Sequence, residues 1–284
     1  MTDQRLTDIF KAKLSETDFN RLSTFIYSNY GIKMPKAKHI MLQSRLQKRL
    51  RELDMSSFKD YVDYVFTREG QDNEVVHMID VVSTNKTDFF REPVHFEFLQ
   101  NHILPEYIKE GKYKTFKVWS AGSSSGEEAY TIAISINEFR EKNGGPDFSI
   151  YATDISSRIL KSAAEAIYKE QRIESLPLNL KKKYFLKSKD RAVENVRVIP
   201  ELRKKVTFDR LNFMDNTYPG NEIFDLIFCR NVLIYFDRPT QEEVIGKLCM
   251  KLKKGGYFFL GHSESITNMK LPLDQLKPTI FQRQ

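Results

Sequence analysis

Phe116-Lys-Val-Trp-Ser-Ala-Gly-Ser-Ser-Ser-Gly-Glu-Glu-Ala-Tyr-Thr131 is the stretch whose reading decides the fold. Its apolar run over 116–119 breaks into small residues, and over 127–139 the apolar positions Ile132, Ile136 and Phe139 recur at spacings of three and four. The pattern predicts a strand, a tight loop and a helix. Such a loop brings backbone N–H groups and a helix N-terminus close to a ligand, with Gly122 and Gly126 permitting turns and approaches that a side chain would block. Downstream, Ser149-Ile-Tyr-Ala-Thr-Asp154 reads as the next strand, and an acid at its end is placed to bind both hydroxyls of a ribose. Together the two stretches read as a nucleoside site. The loop alone is weaker evidence, because Gly-x-x-x-Gly is neither the dinucleotide fingerprint nor a P-loop, and small residues between strand and helix also serve plain packing.

At 284 residues the chain is long enough for one large domain or two modest ones, and 40% hydrophobic with 29% charged residues argues against disorder. It has no run of about 18 apolar residues for a membrane span, and its first 13 residues lack the apolar core of a signal peptide. A soluble, cytoplasmic protein without membrane insertion is expected. Cys229 and Cys249 are too few for a disulfide framework, and with the five histidines scattered, no metal is expected. The net charge of +7 points to an acidic partner, although a basic solvated surface is the blander reading.

Residues 1–82 read as an N-terminal all-helical domain, with Phe19, Leu22, Phe25 and Ile26 on one apolar stripe and Leu42, Leu46, Leu50 and Leu53 on another. Between Lys33 and Arg51 stand seven basic residues (Lys33, Lys36, Lys38, Arg45, Lys48, Arg49, Arg51) and no acid. This predicts a helix with a basic face turned to solvent, and the span lacks the interleaved aromatics of a nucleic-acid patch. Residues 83–92 read as the joint between domains. Asn85, Thr87 and Arg91 there offer an amide, a hydroxyl and a planar cation, a set able to grip an amino-acid-like ligand; on composition alone, a capped helix start before Pro93 is the simpler account.

Over 93–284 the alternation of helices (93–110, 127–139, 156–167, 240–252) with strands (116–119, 149–154, 206–212, 224–231, 257–262) predicts an α/β domain, a parallel sheet with helices on both faces. Residues 168–205 interrupt the rhythm and read as a small antiparallel β insertion. With no glycine there, its tip over 188–195 must rely on Asp190 or Asn195 for any unusual turn geometry. Gly255-Gly256 is expected to turn the chain into the last strand. Asn212, Arg230, Asn231 and His262 end strands, and in an open parallel sheet such positions converge on the loop at 120–126.

These residues resemble the CheR-type methyltransferases, which use S-adenosyl-L-methionine (AdoMet) to methylate glutamates of bacterial chemoreceptors. The likeness lies in Asn-Lys-Thr-Asp-Phe-Phe-Arg-Glu (85–92), Val-Trp-Ser-Ala-Gly-Ser-Ser-Ser-Gly-Glu-Glu (118–128), Ala-Thr-Asp-Ile (152–155), Phe-Cys-Arg-Asn-Val-Leu-Ile-Tyr-Phe (228–236) and Gly-His-Ser-Glu-Ser (261–265). The resemblance implies a Rossmann-like AdoMet-dependent methyltransferase sheet, and sites for the cofactor at Asn85, Thr87, Arg91, Gly122, Glu128, Asp154, Asn212, Phe213, Arg230 and Asn231. Asp154 suits the ribose, Glu128 the ammonium of the methionine part and Arg91 its carboxylate, while Asn212 or the Phe213 backbone would read adenine. Transfer to a glutamate, already ionised near pH 7, needs no general base, so alignment carries catalysis, and Tyr235, with Arg91 second, is the expected orienting donor. S-adenosyl-L-homocysteine would be the product.

The same resemblance implies a partner, the acidic helical cytoplasmic region of chemoreceptors, onto which Lys36, Lys38, Arg45, Lys48 and Arg49 would dock and so recruit the enzyme to membrane-bound receptor arrays. Members that tether to a receptor pentapeptide tend to carry a glycine-rich loop in the β insertion; residues 186–195 have no glycine, which speaks against tethering. Two other classes use the same fold. An RNA methyltransferase would carry bound RNA and leave receptors unlabelled, and a non-catalytic AdoMet sensor would bind cofactor without turnover.

Overall fold

The computed structural model describes residues 9, 11–111, 115–190, 192–218 and 220–284, so parts of two sequence expectations, the first residues of the helical domain and Arg191 in the insertion tip, lie outside the described residues. The N-terminal helices are α1 (Glu16–Tyr30), α2 (His39–Glu52), α3 (Phe58–Val65) and α4 (Arg68–Val82). Each start has a local cause. Ser15, Ser57 and Thr67 accept the backbone N–H three residues on and so satisfy a donor the helix cannot use. Leu22, Ile26, Leu42, Leu46 and Leu50, all fully buried, lock these helices to one another.

Helix α5 follows the joint; its α-helical parts Val94–Phe98 and Leu104–Lys109 flank a π turn at Leu99–Ile103. The α/β domain then runs β1 (Phe116–Ala121), α6 (Glu127–Asn143), β2 (Phe148–Asp154) and α7 (Ser157–Glu165). Next come β3 (Ile167–Lys169), α8 (Leu178–Tyr184), β4 (Phe185–Lys187) and β5 (Asn195–Val198). The chain closes with β6 (Val206–Arg210), β7 (Phe224–Cys229), α9 (Arg238–Met250), β8 (Leu252–Leu260), β9 (Leu273–Lys277) and β10 (Ile280–Arg283). Strands β3, β5 and β4 form a separate antiparallel sheet in that order.

The main sheet has the order β6-β2-β1-β7-β8-β10-β9, with the first five strands parallel and β10 antiparallel to both its neighbours. Its strand order reverses between β1 and β7. That is where an open α/β sheet leaves a crevice at its carboxyl edge. Two apolar clusters cover its faces, one around Phe116, Ile132, Phe228 and Phe259, the other around Trp119, Ile227, Leu248 and Phe258.

One local expectation is corrected, one hairpin is added and the insertion tip is defined. Strand β8 begins at Leu252 and continues through Gly255 and Gly256 with a register irregularity opposite Phe224 and Leu226, so the glycines sit in a bulged strand and do not precede it. The hairpin of β9 and β10, absent from the sequence reading, completes the sheet. Within the insertion tip neither Asp190 nor Asn195 takes a positive φ; Asp190 instead bends the chain by accepting the Ala192 N–H at 2.9 Å.

Candidate active site

A cavity of about 290 Å³ opens at the carboxyl edge of the sheet beside the β1–β7 switch point. Its floor is built from the loop after β1. Gly122 and Ser123 both donate backbone N–H groups to the Thr153 carbonyl at 2.8 Å, tying the loop to the end of β2. Gly122 has φ +87 and packs so closely that a Cβ there would lie 2.3 Å from Val232 Cγ2, so any side chain would strain the backbone and displace Val232. Ser124 joins three parts of the site: its N–H donates to Asp154 Oδ2 at 2.9 Å and its hydroxyl to the Asn85 carbonyl of the joint at 2.8 Å.

Asp154, 8% exposed, also accepts the Ser156 N–H on Oδ1 at 3.0 Å. A carboxylate offers about four acceptor sites, more than its backbone donors occupy, so acceptor capacity remains for an incoming hydroxyl. Burial pushes its carboxyl above the ordinary range, and the N–H groups of Ser156, Ser124 and Ile155 oppose that shift. Asn85, Thr87 and Arg91 line the wall supplied by the joint, where Arg91 donates to the Lys86 carbonyl at 3.1 Å. The insertion braces this wall: Arg172 pairs with Glu127 at 2.6 Å and Asp88 at 3.0 Å and binds the Thr87 carbonyl.

Glu128 and Arg230 line the cavity from beneath as a pair, 2.8 Å apart. Glu128 also accepts the Ser120 hydroxyl at 2.7 Å, and Arg230 donates to His95 Nδ1 at 2.8 Å and to the Arg91 carbonyl at 2.7 Å. The cavity therefore meets a carboxylate already paired and a guanidinium with three of its five N–H donors in use. Asn212 likewise bonds within the protein, its amide donating to the Asn29 carbonyl at 2.8 Å and its Oδ1 accepting the Met214 N–H at 3.0 Å. The Phe213 carbonyl accepts from both Tyr218 Oη and Lys247 Nζ. Asn231 takes φ +59, and its Nδ2 lies 3.4 Å from Glu92 Oε1.

Tyr235 is half-buried at the cavity mouth in a turn of 3₁₀ helix, with Lys38 Nζ 5.8 Å from its ring centre. Burial, with Arg45 nearby, pushes the Lys38 ammonium below its ordinary pKa. Tyr30, Ile32, Met34 and Met41 of the N-terminal domain join Lys38 as a roof, which the sequence reading missed. Interdomain bonds hold it down: Lys33 N–H to the Tyr235 carbonyl at 3.0 Å, and Tyr27 to Asp237.

The basic helix departs from expectation at Arg49. It is 7% exposed and turned inward, where its guanidinium forks onto both oxygens of Glu74 at 2.7 and 2.6 Å, with Tyr61 on the same carboxylate and Glu52 on its rim. It belongs to the domain core and not to a docking face. Arg45 binds the carbonyls of Val82 and Ser83 and the Thr84 hydroxyl, tying α2 to the joint. Lys36 and Lys48 remain on the surface in open pairs with Glu16 and Glu52.

Residues 85–281 match the family description "CheR methyltransferase, SAM binding domain", and residues 17–83 match "CheR methyltransferase, all-alpha domain". The chain belongs to the CheR methyltransferase family. Its cofactor is AdoMet. A "Chemotaxis protein methyltransferase" of Borreliella burgdorferi is 39% identical over 95% of this chain and 95% of its own length. "Chemotaxis protein methyltransferase 2" of Pseudomonas aeruginosa is 33% identical over 93% and 92%, and the Escherichia coli protein of the first name 35% over 90% and 87%.

The donor set of this CheR-family cavity fits AdoMet, with a buried acid holding unused lone pairs at the end of β2, a guanidinium, an amide and a hydroxyl on the joint from Arg91, Asn85 and Thr87, and apolar walls from Val232 and Phe213. The nearest approach to a metal-type cluster among the described residues is Glu92, His95 and His262. Both ring nitrogens of His95 are engaged, by Arg230 and by Thr279 Oγ1 at 2.8 Å, and the guanidinium opposes a second cation there. No helix among the described residues is long and apolar enough to cross a membrane.

Proposed function

We propose that this CheR-family enzyme methylates glutamate side-chain carboxylates in the cytoplasmic helical region of bacterial chemoreceptors, for sensory adaptation in chemotaxis. The observation that carries the reading is the cavity itself: groups of opposite charge suited to a nucleoside and an amino acid share it with Tyr235 and Lys38 at the mouth. The names of the relatives point the same way. When bound, AdoMet supplies a methyl group on a sulfonium, which a glutamate oxygen takes as the sulfur–carbon bond breaks, leaving a methyl ester and S-adenosyl-L-homocysteine (AdoHcy).

In this reading Asp154 holds the ribose, Arg91 the amino-acid carboxylate and Glu128 the ammonium, each by charge-assisted hydrogen bonds. Asn85, Thr87 and Gly122 shape the methionine end; Asn212 and Phe213 wall the adenine; Arg230 and Asn231 hold the floor. The Tyr235 hydroxyl orients the incoming carboxylate. That acceptor is ionised near pH 7, so orientation and partial exclusion of water do what a base would otherwise be needed for. Lys36, Lys38, Arg45 and Lys48 face the acidic receptor helices, and this docking recruits the enzyme to receptor arrays.

The test is incubation with methyl-labelled AdoMet and chemoreceptor-containing membranes. Alkali-labile label on receptor is expected. Absence of label, or label on co-purifying RNA, overturns the reading.

A further inference from the structure

Glu264 does not line the cavity and has no role in the site described above, yet it is a carboxylate only 9% exposed with four backbone partners. Its Oε1 accepts the N–H groups of Val232 at 2.9 Å and Leu233 at 2.7 Å, and its Oε2 those of Asn231 at 2.8 Å and Gly261 at 2.7 Å. Three consecutive amides converge because Asn231 is left-handed at φ +59 while Val232, at φ −112 and ψ −42, is right-handed. Alternation of that kind makes a concave nest for an anion. Here the chain fills the nest with its own side chain. Gly261 permits the approach, since a Cβ there would lie 2.4 Å from Asn231 Nδ2 and 2.8 Å from its backbone nitrogen.

The clamped segment is the one that carries Asn231, Val232, Tyr235 and Phe236 into the cavity. We infer that Glu264 is a positioning residue for methyl transfer, its carboxylate holding the Asn231–Val232–Leu233 backbone so that Tyr235 and Asn231 face the cavity. The inference rests on the reading above in which Tyr235 orients the acceptor. Glu264→Gln keeps the reach of the side chain but presents an NH₂ to one pair of N–H donors, so two of the four bonds are lost whichever way the amide turns.

The experiment compares the full-length wild type, Glu264→Gln, Tyr235→Phe and the double variant, by amide hydrogen exchange, AdoHcy calorimetry and receptor methylation. Glu264→Gln is expected to speed exchange at Asn231, Val232, Leu233 and Gly261, to weaken AdoHcy severalfold and to lower kcat further, at least about tenfold. In the Tyr235→Phe background the kcat loss from Glu264→Gln should shrink to about threefold or less, because the two residues act through one loop. Unaltered exchange at those four amides, or an equal kcat loss in both backgrounds, overturns the inference. Should Glu264→Gln not accumulate folded, Glu264→Asp, with its charge one methylene short, takes its place with the same expectations. If the wild type labels no receptor, the functional reading falls by itself; faster exchange together with weaker AdoHcy binding then upholds the positioning role, and failure of either ends it.

Discussion

Arg230 Nε and Glu128 Oε2 stand 2.8 Å apart beneath the cavity, with 2% and 9% of their side chains exposed. The end of β7 and the first turn of α6 are thereby joined by a buried ion pair whose remaining donors reach His95 and the Arg91 carbonyl. Removing one partner leaves the other charge buried and unpaired. Arg230→Met is expected to cost roughly 3–5 kcal/mol of stability, and Arg230→Met with Glu128→Gln markedly less, measured by urea unfolding. Equal losses in the two would show the pairing to be immaterial.

His95 gives the chain a pH-dependent stability. It is 1% exposed, and burial, reinforced by Arg230 and His262, pushes its imidazole down to about 3 from 6.5. Between those values the unfolded chain binds a proton that the folded chain refuses, so stability rises with pH across the window and is lost as pH falls below about 6.5. The loss attributable to His95 is about 2 kcal/mol at pH 5 relative to pH 7. Urea unfolding of the wild type and His95→Gln at both pH values should show the gap between them shift by that amount in favour of the variant at pH 5.

The basic stretch over 33–51 separates into two kinds of residue. Arg49→Ala removes the partner of buried Glu74 and should destabilise by roughly 3–5 kcal/mol. Lys36→Ala and Lys48→Ala sit in exposed pairs and should leave stability within about 0.5 kcal/mol, while slowing receptor methylation and flattening its decline with added salt. AdoMet affinity should respond less to salt than methylation does. A lysine variant with wild-type rate and salt profile would remove that residue from the docking face.

Asp154→Asn keeps shape and removes charge. Loss of two charge-assisted hydrogen bonds should weaken AdoHcy at least about tenfold by calorimetry. Because burial raises the carboxyl of Asp154, wild-type affinity should fade on acidification at a higher pH than an ordinary aspartate would set, with the variant showing a flatter profile.

Much of this was legible in the sequence, because the features concerned are local. The change from an apolar run to a 3.6-residue period across 116–139 specifies strand, loop and helix within a single stretch, and Asp154 at the end of β2 follows from the length of the apolar segment before it. The C-terminal hairpin escaped because β9 is an exposed edge, Leu-Asp-Gln-Leu-Lys, with too little apolar alternation to announce itself.

The sequence by itself determined the helices and parallel strands that build the site, the strand ends where polar groups gather and the family motifs. Only the tertiary structure decided which charges are free. Arg49 and Glu74 lie 25 residues apart, Glu128 and Arg230 lie 102 apart, and the clamp from Glu264 to Leu233 spans 31. Periodicity reports how a segment meets water on average. Whether one guanidinium on that segment faces solvent or a carboxylate depends on where another element comes to rest, and that is settled by packing.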